Sequence, residues 1–228
     1  MEITYYGHSS VGIKLEGSSL LFDPFIRPNS LAGHIDISKI KPDYIFLSHC
    51  HEDHVADLAE IQRNSGAVVV AIVETAAWVE KQGIPSDKIV ALNFGGTFSA
   101  SFGSAKMVYA LHTNSTPEGN YAGEPAGFLL KAGAKTLYFA GDTALTTEMQ
   151  LLGTSAIDCA FLPIGGHYTM DVDDAILASN FINCTEIIGI HYDTFPPIQI
   201  DQELAKRKFK DAGRSLHLLS IGEPFSLD

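Results

Sequence analysis

The sequence predicts an α/β protein, and three observations carry that expectation. Short apolar runs of strand length alternate with longer stretches whose apolar residues recur at helical spacing. No low-complexity linker separates them, and 228 residues at 46% hydrophobic composition suit one compact domain, or one domain built from two similar halves. Several of the apolar runs end in His or Asp, at the strand ends where loops leave a rigid sheet and ligand sites form. A chain of this length buries roughly 70–75% of its extended surface, so its core needs no covalent staples. Residues 1–228 are therefore taken as a single domain, with halves at approximately 1–112 and 113–228.

The elements follow in order. "ITYYG", "SVGIKLEG" and "SLLFDP" read as three strands joined by turns. "DYIFLSH" is a short apolar strand after Lys41-Pro42, and "HVADLAEIQRNSG" is a helix that stops at Gly66. "AVVVAI" is a strand, "VETAAWVEKQG" a helix ending at Gly83, and "KMVYALH" a strand. "GFLLKAGAKTLYFAGDT" reads as a hairpin turning near Ala132-Gly133. "TTEMQLLG" is a short helix and "IDCAFLPIGG" a strand. "DVDDAILASNFINC" is a helix with Asp171 or Asp173 near its cap. "EIIGIHYDTF" is a strand, "DQELAKRKFKDAG" a helix, and "SLHLLSIG" a last strand.

Six of these runs deliver a residue able to hold metal. They are Asp23, His49, His112, Asp142, His167 and His191. One strand-end histidine is ordinarily a hydrogen-bonded polar group; six residues, all His or Asp, are hard to explain that way independently. The densest group is "SHCHEDHV", Ser48 to Val55. His49 and His51 are two apart, so in extended backbone their imidazoles leave on one side and can share an ion. Asp53 and His54 follow where the chain turns into a helix, and can face a second point nearby. Ligands of this kind, His and Asp rather than thiolates, suit a hydrolytic site with open positions for water. Cys50 lies between the two histidines and is expected to point to the opposite side.

The motif His49-Cys50-His51-Glu52-Asp53-His54 resembles that of the metallo-β-lactamase superfamily. His112, Asp142 in "FAGDT" and His191 in "IGIHYDTFP" fit in order. "YYGHSS", "LFDPF" and "PIGGHYTM" are similar to a narrower branch of small metal-dependent hydrolases akin to ascorbate-phosphate lactonases. The resemblance implies an αββα sandwich, two facing mixed sheets with helices outside and metals at one edge. It also implies that one metal takes His49, His51 and His112, that the other takes Asp53, His54 and His191, and that Asp142 bridges. Asp23 matches a position that supports the metal-binding loop. The chain lacks the His-x-x-Asp-x-x-Gly extension and the ligating Cys of the classical lactamases, which argues against β-lactam hydrolysis.

The expected cofactors are two divalent ions, zinc first, with manganese or iron as alternatives because His/Asp sites accept several metals. The expected reaction is attack on a small-molecule ester, a lactone first, by a hydroxide bridging the two ions. Asp53 or Asp142 accepts a proton, and His167 or His8 aids the leaving group. His34 and His217 read as structural, although His34 lies in a loop, Pro28 to Ile35, that can line a pocket. Two other readings compete: a phosphodiesterase or nuclease of the same superfamily, and a non-enzymatic metal-binding protein that kept the fold. The formal charge of −12 disfavours nucleic acid, since an acidic surface repels phosphate. The basic stretch Lys206 to Lys210 reads as a solvated helix face. Three unpatterned cysteines, no leader-like N-terminus and no apolar run near ~20 residues suggest a cytoplasmic protein without membrane contact. The sequence leaves the oligomeric state open, a homo-oligomer included.

Overall fold

The computed structural model describes residues 1–15 and 17–227. Two seven-stranded sheets face each other with helices on their outer faces, the αββα arrangement. The first sheet holds β1 (Glu2–Gly7), β2 (Ser10–Leu15), β3 (Ser18–Phe22), β4 (Tyr44–Phe46), β5 (Val68–Ile72) and β6 (Ile89–Leu92). The second holds β7 (Thr97–Ala100), β8 (Gly103–Tyr109), β9 (Ala126–Ala132), β10 (Lys135–Phe139), β11 (Cys159–Pro163), β12 (Glu186–Ile190) and β13 (Ser215–His217). β14 (Pro224–Ser226) crosses back and pairs antiparallel with β1 in the first sheet. The chain thus changes sheets at residues 93–96, and its C-terminus returns to the first half.

Alternation along the strands builds two apolar layers. Leu20, Phe22, Phe46, Val70 and Ile72 join the layer between the sheets, whereas Leu21, Ile45, Val69 and Ala71 face the helices. Aromatic rings seal the central layer: Phe22 stacks on Phe139 at 4.5 Å, and Phe46 meets Phe128 edge-on at 5.2 Å. Each such ring, fully buried, contributes roughly 1.5–3 kcal/mol relative to exposure. The helix layer against the first sheet comes from α1 (Glu52–Val55), α2 (Leu58–Ser65) and α3 (Val73–Lys81). α4 (Val172–Phe181) and α5 (Gln202–Asp211) cover the second sheet. No described helix is long and apolar enough to cross a membrane.

Three local expectations are corrected. The helix expected from His54 to Gly66 is two helices, broken at Ala56-Asp57. Asp57 leaves the helical path because its Oδ2 accepts from the Ile26 and Arg27 N–H groups, and its own N–H donates to the Pro24 carbonyl. The second correction is β6 and β7, half-exposed four-residue strands flanking a turn, whose sequences lack a clear apolar alternation. The third is the last strand: it stops at His217, and β14 forms in a segment opened by a proline, whose missing donor an edge strand tolerates.

The sheets share one edge. Phe22, Phe46 and Ile72 end there in the first sheet. Tyr109, Phe139, Pro163 and Ile190 end there in the second, where β9 begins at Ala126. The loops leaving these ends carry the candidate site.

Candidate metal centre

His8, Asp23 and His191 sit immediately beyond strand ends with left-handed backbone, at φ 55°, 42° and 54°. Non-glycine residues there cost of order 1–3 kcal/mol each, and such strain gathers at functional sites. Hydrogen bonds hold the conformations. The His191 N–H donates to the His8 carbonyl at 2.7 Å, so the β1–β2 turn of the first sheet is tied to the end of β12 in the second. The Asp23 N–H donates to the Phe46 carbonyl.

Two groups of donors result. His49, His51 and His112 offer ligand atoms that lie close together, and so do His8, Asp53, His54 and His191. His49 Nε2 is 3.0 Å from His51 Nδ1, as the two-residue spacing predicts. Asp142 stands between the groups. Its Oδ2 is 3.0 Å from His191 Nε2, 3.4 Å from His54 Nε2 and 3.7 Å from His112 Nε2. The residues named from sequence as metal ligands are therefore brought together. Asp53 and His54 occupy α1, which starts at the site because Glu52 follows the extended His51.

Buried polar groups surround these donors. Asp23 Oδ2 accepts from Ser48 Oγ at 2.6 Å and lies 2.9 Å from His54 Nδ1; Asp23 Oδ1 accepts the Ser48 N–H. Ser48 Oγ also lies 2.9 Å from His49 Nδ1. Asp23, His49 and His54 form a third close grouping, but these hydrogen bonds already satisfy Asp23. Ser9 Oγ donates to Asp142 Oδ1 at 3.4 Å.

Burial sets the titration of the cluster. It holds His49 well below the ordinary imidazole range, and His51 and His112 below it as well. His8 is lowered to about 4 by burial and by the neighbouring His191. His54 goes the other way: burial alone would lower it, but the Asp142 and Asp23 carboxylates hold it well above the usual range. For Asp142, burial opposes ionisation, yet His191 and His54 keep it well below the usual carboxylate range. For Asp53 too burial opposes ionisation, but the His8 contact together with the neighbouring His54 holds it below the usual carboxylate range.

These donors fit divalent cations. Two imidazole nitrogens facing each other at 3.0 Å need a proton or a cation between them. His54 Nε2 and His191 Nδ1 are buried without a hydrogen bond, and the donor set is all imidazole and carboxylate.

The remaining histidines separate. His8 is fully buried, its Nε2 lies 3.1 Å from Asp53 Oδ2, and its ring is wedged among His191, Phe195, His54 and Phe25. His167 is exposed on the loop after β11 and packs edge-on against Tyr168, outside the close donor groups of the described residues. His34 Nε2 lies 3.3 Å from the Ile221 carbonyl, and His217 Nε2 lies 2.9 Å from Glu186 Oε2, both contacts that hold the fold. Cys50 points into the helix-side layer, fully buried, and burial pushes its thiol up to about 12. Sequence reasoning missed Asn114. Its Oδ1 accepts the Cys50 N–H and its Nδ2 donates to the Ala122 carbonyl, clamping the histidine loop. A single asparagine in a polar loop carries no signal that would have singled it out; neither does Ser9.

The model of the beta-lactamase superfamily domain matches residues 19–192. The chain belongs to the beta-lactamase superfamily. A superfamily relative from Flavobacterium johnsoniae, named UPF0173 metal-dependent hydrolase, is 46% identical over the full length of both chains. A similarly named relative from Thermus thermophilus is 38% identical over 228 residues, again the whole of both. Among solved structures, a metallo hydrolase from Ignicoccus hospitalis superposes with a TM-score of 0.88 at 32% identity, covering 100% of this chain and 99% of that one. An isothiocyanate hydrolase from Delia radicum gut bacteria, at 18% identity and a TM-score of 0.78, shares the superfamily fold.

Proposed function

We propose that the chain is a metal-dependent hydrolase that uses two divalent cations, zinc before manganese or iron, on a small-molecule ester, a lactone first. The observation that carries this reading is Asp142, whose Oδ2 faces histidines of both donor groups. In this reading His49, His51 and His112 hold one cation, Asp53, His54 and His191 hold the other, and Asp142 serves both. Full-length relatives named metal-dependent hydrolases support the reaction type.

Cations bound there supply Lewis acidity and lower the pKa of a coordinated water to about 7. The chain's own residues prepare that site. Asp23 Oδ2 accepts the hydrogen bond of His54 Nδ1–H, which leaves Nε2 as the ligand atom. Ser9 occupies Oδ1 of Asp142 and leaves Oδ2 to the imidazoles. His8 occupies Oδ2 of Asp53 and leaves the other oxygen for a cation. Asp53 is 30% exposed against 2% for Asp142, so a proton released in hydrolysis reaches solvent by way of Asp53. Of the two further histidines, His167 is open to a substrate, whereas His8 is sealed behind Asp53 and positions it.

The test is metal analysis of untagged protein together with a hydrolase panel run with zinc, manganese and iron. Two equivalents of metal and turnover of a simple lactone are expected. His51→Ala should stay folded, lose metal and lose turnover. Unchanged turnover by metal-depleted His51→Ala would remove the reading.

A further inference from the structure

The loops at the metal edge are 7–10, 23–36, 47–57, 93–96, 110–125, 140–147, 164–171 and 191–201. The chain has 15 lysines and arginines, and these loops contain one, Arg27. Arg27 is already engaged, because its guanidinium donates to both oxygens of Glu60 at 2.7 Å. Elsewhere the basic residues gather away from the site. Lys14, Lys39 and Lys41 line a groove of about 530 Å³ that also includes Gly17, Ser18 and Asp43, at the end of the first sheet opposite the metal edge. α5 carries Lys206, Arg207, Lys208 and Lys210; Lys206 pairs with Glu203, and Lys208 with both oxygens of Asp173. The N-terminal donors of α4, which opens near the edge, are also taken, since Asp171 Oδ1 accepts the Asp173 and Asp174 N–H groups.

The edge loops expose acidic side chains, Glu52, Glu118 and Glu124 among them, and several large apolar ones. Leu111, next to His112, is 49% exposed, although its backbone is pinned by the Thr143 hydroxyl and the Ala144 N–H. Tyr168, on the loop after β11, is 52% exposed, and Tyr121 is 69% exposed. A pinned backbone that presents a large apolar side chain to water offers a surface an apolar ligand can cover. Recognition of a phosphate or sulfonate away from the reacting bond calls for a lysine, an Arg fork or free helix N–H groups. The edge loops supply no lysine and no unpaired Arg fork, α4 is capped by its own Asp171, and the uncapped first turn of α3, which starts at this edge, carries the acidic Glu74.

We infer that the site takes an uncharged ester with an apolar arm and discriminates against substrates that carry an anionic group remote from the scissile bond. This deepens the hydrolase reading and rests on it for the position of the substrate at the metal edge. The arm lies on the Leu111 and Tyr168 side, and the ester carbonyl at the histidine cluster.

The test uses zinc-loaded protein and a pair of non-hydrolysable lactams in a calorimetric titration. One is δ-valerolactam with a pentyl side chain; the other is the same lactam with its chain ending in sulfonate. Sulfonate is a poor metal ligand, so its charge is read by the loops and not by the cations. The neutral lactam should bind at least tenfold more tightly, and Leu111→Lys or Tyr168→Lys should narrow that ratio by threefold or more. Equal or tighter binding of the sulfonate by the wild type overturns the inference, and so does failure of both lactams to bind. A wild-type preference that neither lysine changes places the discrimination elsewhere and overturns it as well. The matching pair of lactones separates the two readings. If the neutral lactam binds preferentially but its lactone is not hydrolysed, the hydrolase reading fails while the ligand preference stands.

Discussion

Oδ2 of Asp23 lies 2.9 Å from Nδ1 of His54, and neither side chain reaches solvent. The same oxygen accepts the Ser48 hydroxyl, while Oδ1 accepts the Ser48 N–H. Every lone-pair direction of the carboxylate that matters is matched by a donor. An asparagine there must turn its NH₂ toward one of those donors. Asp23→Asn is therefore expected to weaken cation binding by about 10- to 100-fold, the usual range for groups that orient a ligand histidine. Competition with a fluorescent chelator measures this, and an unchanged dissociation constant would show that Asp23 does not orient His54.

His8 is expected to act on Asp53 through its ring nitrogen alone. His8→Phe keeps an aromatic ring beside Phe25 and Phe195 but loses the 3.1 Å contact to Asp53. One equivalent of metal should become weakly bound, while the other, on His49, His51 and His112, is retained. His8→Gln supplies an amide donor and should restore part of the loss. Two equivalents bound at wild-type affinity by His8→Phe would end this assignment.

Without cations, the cluster makes stability depend on pH in two opposite ways. His8 titrates near 4 in the fold against an ordinary value of 6.5. Between those values the unfolded chain binds a proton that the folded one refuses, so stability falls as pH falls from 6.5 to about 4. The loss from His8 is on the order of 3 kcal/mol. His49, His51 and His112 are lowered and act in the same direction. His54 is raised, so its contribution is complete below pH 6.5 and is lost as pH rises through its folded value. Chelated protein should melt at a lower temperature at pH 5 than at pH 6.5, and His8→Gln should reduce that difference. A pH-independent melting point for the chelated wild type, or a difference the variant leaves intact, would contradict the buried-neutral state of His8.

Cations that bind only the folded chain stabilise it by mass action, by about 4 kcal/mol per site at a thousandfold excess over the dissociation constant. Chelation should thus lower the melting temperature by several degrees, reversibly. Asp142→Asn should shrink the metal-induced shift, because an amide serves two cations poorly. Melts of both proteins with chelator and with excess metal decide it: equal shifts would mean that Asp142 does not bridge, and no shift in either would count against cation binding at this cluster.

Much of this molecule was readable from the sequence because the relevant physics is local. Side chains two apart in extended chain leave on one side, so the His49/His51 pair could be assigned before any fold was known, and the 3.0 Å between their ring nitrogens agrees. Short apolar runs marked β1 to β5 and β8 to β12, and alternation aimed Cys50 into the apolar layer. Strand ends carrying Asp23, His112, Asp142 and His191 were visible one by one. What residues 1–228 could not state is which of these meet. That depends on two sheets sharing an edge, and on a left-handed turn at His8 whose carbonyl reaches His191. Non-local contacts also broke the expected helix at Asp57, drew β14 back to β1, and recruited Ser9 and Asn114, ordinary loop residues until the fold surrounds them. They buried His8 against Asp53 and left His167 in solvent, although both follow glycine in similar-looking loops. Sequence determines side-chain direction along a strand, because backbone dihedrals set it within a few residues. Only tertiary packing decides which directions converge, because register and sheet stacking are set by contacts between residues far apart in the chain.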